Sequence, residues 1–359
     1  MFFKKNEERL AAFSKMSQTA GARADYVQGG GGNTSVKLAD GLMAIKASGY
    51  CLKDIRTDKA YAVMDYEALR AFYYGNEPAN LEDVEKQGSA CAKENVKTIE
   101  GLDALRPSVE AGFHSILKTF VLHTHSVYAN LACCSTSCCD IAKKAFEGAD
   151  YSWGWVPYTD PGANLTFAIR DELARVEKET GKVPAVILMQ NHGIIVHDDD
   201  ADKCLAIHSD ANERLAAQFK MSGESFPTIA IRKLPAGYFL ADTPYLTEQL
   251  KNCAYTHKQL MEEPLYPDQM VFLIDTFFMD TDAIADGQCV ASTETGEMLL
   301  NMPESKAMTL TETLSAVFFI MEAIKANGYE LSTMGEAAKN FIANWESEKY
   351  RKSLAGKKG

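Results

Sequence analysis

The apolar run Phe120-Val121-Leu122 ends in His123-Thr124-His125, and this stretch constrains the chain more than any other. In an extended strand, side chains at i and i+2 share a face, so both imidazoles can reach one ion. A third histidine, His192, follows another apolar run, Ala185 to Met189, in Gln190-Asn191-His192-Gly193. Three neutral imidazoles with an open coordination position suit a catalytic zinc-type centre. The pair alone has a second reading, two hydrogen-bonded core histidines at the end of a strand.

Upstream lies Arg106-Pro107-Ser108-Val109-Glu110. Pro107 and Ser108 are expected to open a helix, with Ser108 as its N-cap. On that helix Glu110 and His114 share a face. Glu110 reads either as an acid favoured by the helix dipole or as a carboxylate for the histidines; His114 reads as structural. Earlier still, four glycines precede Asn33-Thr34-Ser35, then a hairpin turns at Asp40-Gly41 and ends in Ala47-Ser48-Gly49. The glycine run is either a flexible loop or a backbone cradle for phosphate or carboxylate. No G-K-[ST] follows it, so it is not a Walker A loop.

Size and charge narrow the partners. The 359 residues allow more than one domain, and the net charge of −12 argues against nucleic acid or an anionic membrane surface as partner. No run of about 18 apolar residues suggests a membrane span. The start, Met1 to Arg9, lacks the apolar core of a signal peptide. With that start, the odd count of nine cysteines reads as reduced thiols, and a cytoplasmic location is expected. The cluster Cys133-Cys134…Cys138-Cys139 falls in a stretch from Val127 to Phe146 expected to be one helix. There the thiols pack as small hydrophobes.

Periodicity places a helix over 4–20, a strand over 60–64 with a helix over 65–75, and a surface excursion over 76–103. Tyr151 to Asn164 is turn-rich. A helix over 165–180 stops at Gly181, a strand spans 183–189, and a helix spans 200–221. His197 reads as an ordinary strand residue. Residues 226–235 read as a linker or an extended return, followed by a helix over 243–262, strands over 270–274, 290–293 and 298–300, and helices over 305–327 and 333–352. This composes a small α+β domain whose expected role is packing or assembly, with covering the site as the alternative; His257 reads as ordinary.

Gly32-Asn33-Thr34-Ser35, Ser48-Gly49, Pro107-Ser108-Val109-Glu110, His123-Thr124-His125 and Asn191-His192-Gly193, taken in this order, resemble the class II aldolase/adducin family over about residues 10–225. Gly32 to Lys37, Lys46 to Gly49, Val156-Pro157-Tyr158 and Pro161-Gly162 are most similar to the rhamnulose-1-phosphate aldolase portion of bifunctional aldolase–dehydrogenase proteins. No G-x-G-x-x-G follows residue 225, so no dehydrogenase domain is expected. The resemblance implies an α/β fold, three-layer α/β/α with a central, mainly antiparallel sheet, over 1–225; the α+β domain read above takes up 226–359. The resemblance also implies His123, His125 and His192 as ligands of Zn2+ (Co2+ or Mn2+ substituting) and Glu110 as catalytic acid/base. Gly32, Asn33, Ser48, Gly49 and Ser108 would bind the substrate's phosphate end, and Tyr158 would be a second proton donor, with Tyr151 or a tyrosine of a neighbouring subunit as alternatives. The implied reaction is reversible retro-aldol cleavage of a sugar phosphate to dihydroxyacetone phosphate and an aldehyde, in a homotetramer. Alternatives within the family are a pentulose-phosphate epimerase, a sugar-acid phosphate decarboxylase, and a non-catalytic assembly or binding protein. Gly30 and Val109 stand where hydroxyl residues often help hold phosphate in the smaller members, which shifts that task toward backbone N–H groups.

Overall fold

A computed structural model describes residues 2–344. Its first sheet has eight strands: β1 (Asn33–Lys37), β2 (Leu42–Lys46), β3 (Tyr61–Asp65), β4 (Val96–Lys97), β5 (Phe120–Thr124), β6 (Trp153–Val156), β7 (Val186–Met189) and β8 (Gly193–Asp198). They lie in the order β4-β3-β2-β1-β5-β8-β7-β6, all antiparallel except the β6–β7 pair. Alternation sorts the strand side chains. Phe120 and Leu122 join a cluster with Phe13, Met16, Leu131 and Leu215 of helices on one face. Val121 joins Phe113, Phe167 and Ile169 on the other. The result is the expected three-layer α/β/α arrangement with a mainly antiparallel centre.

A second sheet, in the order β11-β12-β13-β10-β9, follows: β9 (Ile231–Lys233), β10 (Phe239–Ala241), β11 (Phe277–Met279), β12 (Cys289–Ala291) and β13 (Met298–Leu300). With its helices it forms the C-terminal α+β addition. The helix Glu304–Ala326 is long and apolar enough to cross a membrane, but it is largely buried in the protein. It packs on the helix Val127–Cys133, and Leu314 and Phe318 belong to the same apolar cluster as Phe13 and Leu131.

Several local expectations need correction. The stretch 127–146 is two helices, Val127–Cys133 and Cys138–Ala145. Residues between them turn to the C-terminal segment: Ser332 N donates to the Cys134 carbonyl (2.7 Å) and Thr136 N to that of Glu330 (3.1 Å). The stretch 243–262 is also two helices, Pro244–Lys251 and His257–Glu262, the second begun by a Thr256–Gln259 capping box. The strand expected at 270–274 is part of a helix, Pro267–Leu273, with proline at its preorganised first position. The excursion over 76–103 contains a helix, Val84–Glu94, and the edge strand β4. Of the two readings of 226–235, linker or extended return, β9 within it takes the extended one. The last expected helix is described as Glu336–Asn344; the remainder of that expectation lies outside the described residues.

Candidate active site

Strand β5 runs between β1 and β8, with Asn33 opposite His123 on one side and Ile195 on the other. His125 follows directly after the strand. His192 sits in the β7–β8 turn, where Asn191 takes a positive φ of 51°. The Asn191 amide donates to the carbonyls of Leu265 (2.8 Å) and Ser332 (2.7 Å), and its Oδ1 accepts from Ser332 Oγ (2.9 Å). Hydrogen bonds satisfied at both ends stabilise the strained residue. One ligand atom from each of His123, His125 and His192 lies within 4.8 Å of the others, and all three residues are buried.

The outer nitrogens orient two of these rings. His123 Nδ1 lies 3.0 Å from the Ile194 carbonyl, and His125 Nδ1 lies 2.5 Å from Asp268 Oδ2. Both partners are acceptors, so the protons belong on Nδ1 and the Nε2 lone pairs are left inward. Those two Nε2 atoms are 3.2 Å apart. Burial pushes His123 down to about 4, with the Glu110 charge opposing the shift, so the imidazole is neutral and able to ligate near neutral pH.

Glu110 closes the cluster: its Oε1 is 3.3 Å from His192 Nε2 and its Oε2 is 3.7 Å from His123 Nε2. It is not in a first helical turn, as expected, but at the N-cap of Ala111–Ile116. Ser108 therefore is not that cap; its Oγ accepts from Glu110 N (3.3 Å) and from Asn33 Nδ2 (3.1 Å). Asn33 Nδ2 also donates to Glu110 Oε2 (2.5 Å), and Asn33 Oδ1 bonds His114 Nε2. His114 is fully buried and completes its bonding through Nδ1 to Ser35 Oγ (2.7 Å), a supporting role.

The glycine loop is packed rather than free. Gly32 has φ 62°, and a Cβ there would fall 2.5 Å from the His123 carbonyl oxygen. Gly29 N donates to Glu312 Oε2 (2.9 Å) and Gly31 N to the Gln28 carbonyl (3.0 Å). Buried Lys46 holds the carbonyls of Gly30 (3.0 Å) and Tyr50 (2.7 Å). Ser48 and Gly49 lie beside Ser108, since Ser48 N bonds the Arg106 carbonyl and Ser108 N that of Lys46. Tyr158 is placed differently: its backbone N donates to Gln190 Oε1 (3.1 Å), near the His192 turn, while its ring packs against Met270, Val271 and Met334. Sequence reasoning missed Asp268 and the Asn191 clamp. The one local signal was an acid following Pro267, which marks a helix start and says nothing of a histidine.

The donor set suits a divalent transition metal: three buried imidazoles, two with an outer nitrogen held by an acceptor, and an adjacent carboxylate. The nine cysteines are free thiols and take no part in it.

The solved structures similar to this chain include the following three. The N-terminal class II aldolase domain of a conserved Thermoplasma acidophilum protein is 21% identical, covers 56% of this chain and 90% of its own, and has a TM-score of 0.46. YgbL from Klebsiella pneumoniae, described as a putative aldolase/epimerase/decarboxylase, is 17% identical over 62% of this chain and 91% of its own, with a TM-score of 0.39. L-fuculose-1-phosphate aldolase from Thermus thermophilus is 16% identical over 60% and 95%, with a TM-score of 0.36. No curated protein sequence matches. The family profile "Class II Aldolase and Adducin N-terminal domain" matches residues 12–218 and spans every residue of the cluster except Asp268. The chain belongs to the class II aldolase/adducin family.

Proposed function

We propose that this protein is a metal-dependent aldehyde-lyase that reversibly cleaves a ketose 1-phosphate to dihydroxyacetone phosphate and an aldehyde. The observation that carries this reading is the Glu110 carboxylate 3.3 and 3.7 Å from two of three clustered imidazoles. His123, His125 and His192 would hold the metal, zinc first, with cobalt or manganese as substitutes. When bound, the metal supplies Lewis-acid polarisation of the substrate carbonyl. Glu110 moves the proton. In cleavage, the carbon that keeps the electron pair of the broken C–C bond takes a proton from the Glu110 carboxyl group. In condensation, Glu110 removes that proton again. Asn33 and Ser108 orient Glu110 through the hydrogen bonds above.

Tyr158 is proposed to exchange the second proton, at the aldehyde oxygen. Burial, followed by nearby Asp160, pushes its phenol up, which suits it to donate that proton in condensation; in cleavage its phenolate would take the proton of the hydroxyl that becomes the aldehyde. Gly32, Ser48, Gly49 and Ser108 are proposed for the phosphate end, with Asn33, whose side chain already bonds Glu110, Ser108 and His114, at its border. With Gly29 and Gly31 N–H engaged, Gly30 and Gly32 are the members of the glycine run left for that task. A tetrameric assembly, a cytoplasmic location, and kinship with the aldolase portion of the bifunctional proteins complete the proposal.

Protein purified without chelator is expected to carry zinc, cobalt or manganese. Incubated with a panel of ketose 1-phosphates, it should release dihydroxyacetone phosphate. Metal-free protein that cannot be loaded would overturn the catalytic reading. An epimerised phosphate or released carbon dioxide, with no triose, would move it to another reaction of the family.

A further inference from the structure

Among the residues beyond 226, Asp268 bonds a histidine of the cluster directly. Asp268 is 1% exposed, and its Oδ2 is 2.5 Å from His125 Nδ1 across 143 residues of sequence. The glycine loop makes room for it: a Cβ on Gly31 would fall 2.3 Å from that oxygen and 3.0 Å from His125 Nδ1. The segment bearing Asp268 is fixed on both sides. Gln269 bonds Leu265 N (2.8 Å) and the Leu260 carbonyl (2.6 Å), and the buried Tyr266 ring meets the His125 ring edge-on at 6.2 Å. Asn191, adjacent to His192, holds the Leu265 carbonyl, so the same segment supports a second histidine.

We propose that Asp268 is a positioning residue of the metal centre, and that the C-terminal addition is thereby an integral part of that centre. The inference rests on reading the three histidines as metal ligands. A carboxylate on Nδ1 keeps that ring proton in place, aims Nε2 inward and raises its basicity toward a cation. The second oxygen, Oδ1, is buried without a hydrogen-bond partner, so the ring carries most of the stabilisation of this charge. Two buried carboxylates, Glu110 and Asp268, thus lie against the three imidazoles that would hold a divalent cation.

The test is the zinc dissociation constant of the full chain, read by chelator competition, for wild type, Asp268→Ala and Asp268→Asn. Asp268→Ala should bind zinc about 10–100-fold more weakly. Asp268→Asn, whose amide oxygen still accepts from Nδ1, should fall between the two. The visible spectrum of the cobalt-loaded forms should shift in the same order, a change that lost stability by itself does not produce. Equal affinities and superimposable spectra would overturn the proposal. If Asp268→Ala does not fold, Asp268→Asn decides by the same two readouts. A wild type that binds no zinc or cobalt would overturn the metal centre itself, and this inference with it.

Discussion

Asn33 holds three groups at once. Its amide nitrogen serves Glu110 and Ser108, and its oxygen meets His114, whose other nitrogen rests on Ser35. This chain of bonds fixes the Glu110 carboxylate before any ligand arrives, which is what a proton-transferring group requires. Glu110→Gln keeps an amide oxygen for the Asn33 bond and removes the proton-carrying site. It is expected to retain metal and lower kcat by about 10²–10⁴-fold, the usual contribution of a general acid/base. Hydrogen–deuterium exchange at the nucleophilic carbon of dihydroxyacetone phosphate, followed by NMR, reads the step directly. Exchange at the wild-type rate would remove Glu110 from its role.

At the scale of elements, the site is a meeting of strand ends and turns. β1 and β5 are pressed together where the glycine loop enters, and Gly32 has neither the φ nor the space for a side chain. Gly32→Ala should cost about 1–3 kcal/mol for the left-handed backbone alone. Displacement of His123 should follow, so the denaturation midpoint and the zinc affinity should fall together. A variant with both unchanged would show that the loop tolerates what its geometry forbids. The glycine run was legible as backbone able to take a positive φ because such chemistry is local; its packing and the Asn191 turn were not. The break at Cys134–Ser137 and the helix at Pro267–Leu273 were not. The first answers to hydrogen bonds from residues 330–332. In the second, a proline helix start outweighed the apolar run that reads as a strand.

For the molecule as a whole, burial of uncharged histidines makes acid the vulnerable direction. Burial, then nearby Lys118 and Lys37, push His197 down to about 3. Burial, then Arg23 and His123, push His208 down to about 3. Between pH about 6.5 and 3 the unfolded chain binds protons at these positions and the folded chain does not. Stability should therefore be level above pH about 7 and decline as pH falls through that window, by about 1.4 kcal/mol for each such histidine and each pH unit crossed. Urea midpoints of metal-free protein from pH 8 to 4 would show it; a flat profile would refute it. One apolar cluster runs through both sheets, so the loss should be cooperative across the chain. The sequence by itself determined the eight-stranded frame's principal strands, the three histidines and Glu110, because side-chain period, glycine turns and short motifs are written within a few residues. Only the tertiary structure decided that Asp268 meets His125 and that Ser332 and Leu265 hold the His192 turn. Those contacts join segments more than 70 residues apart, and they form because a buried polar group must find its partner wherever packing brings one.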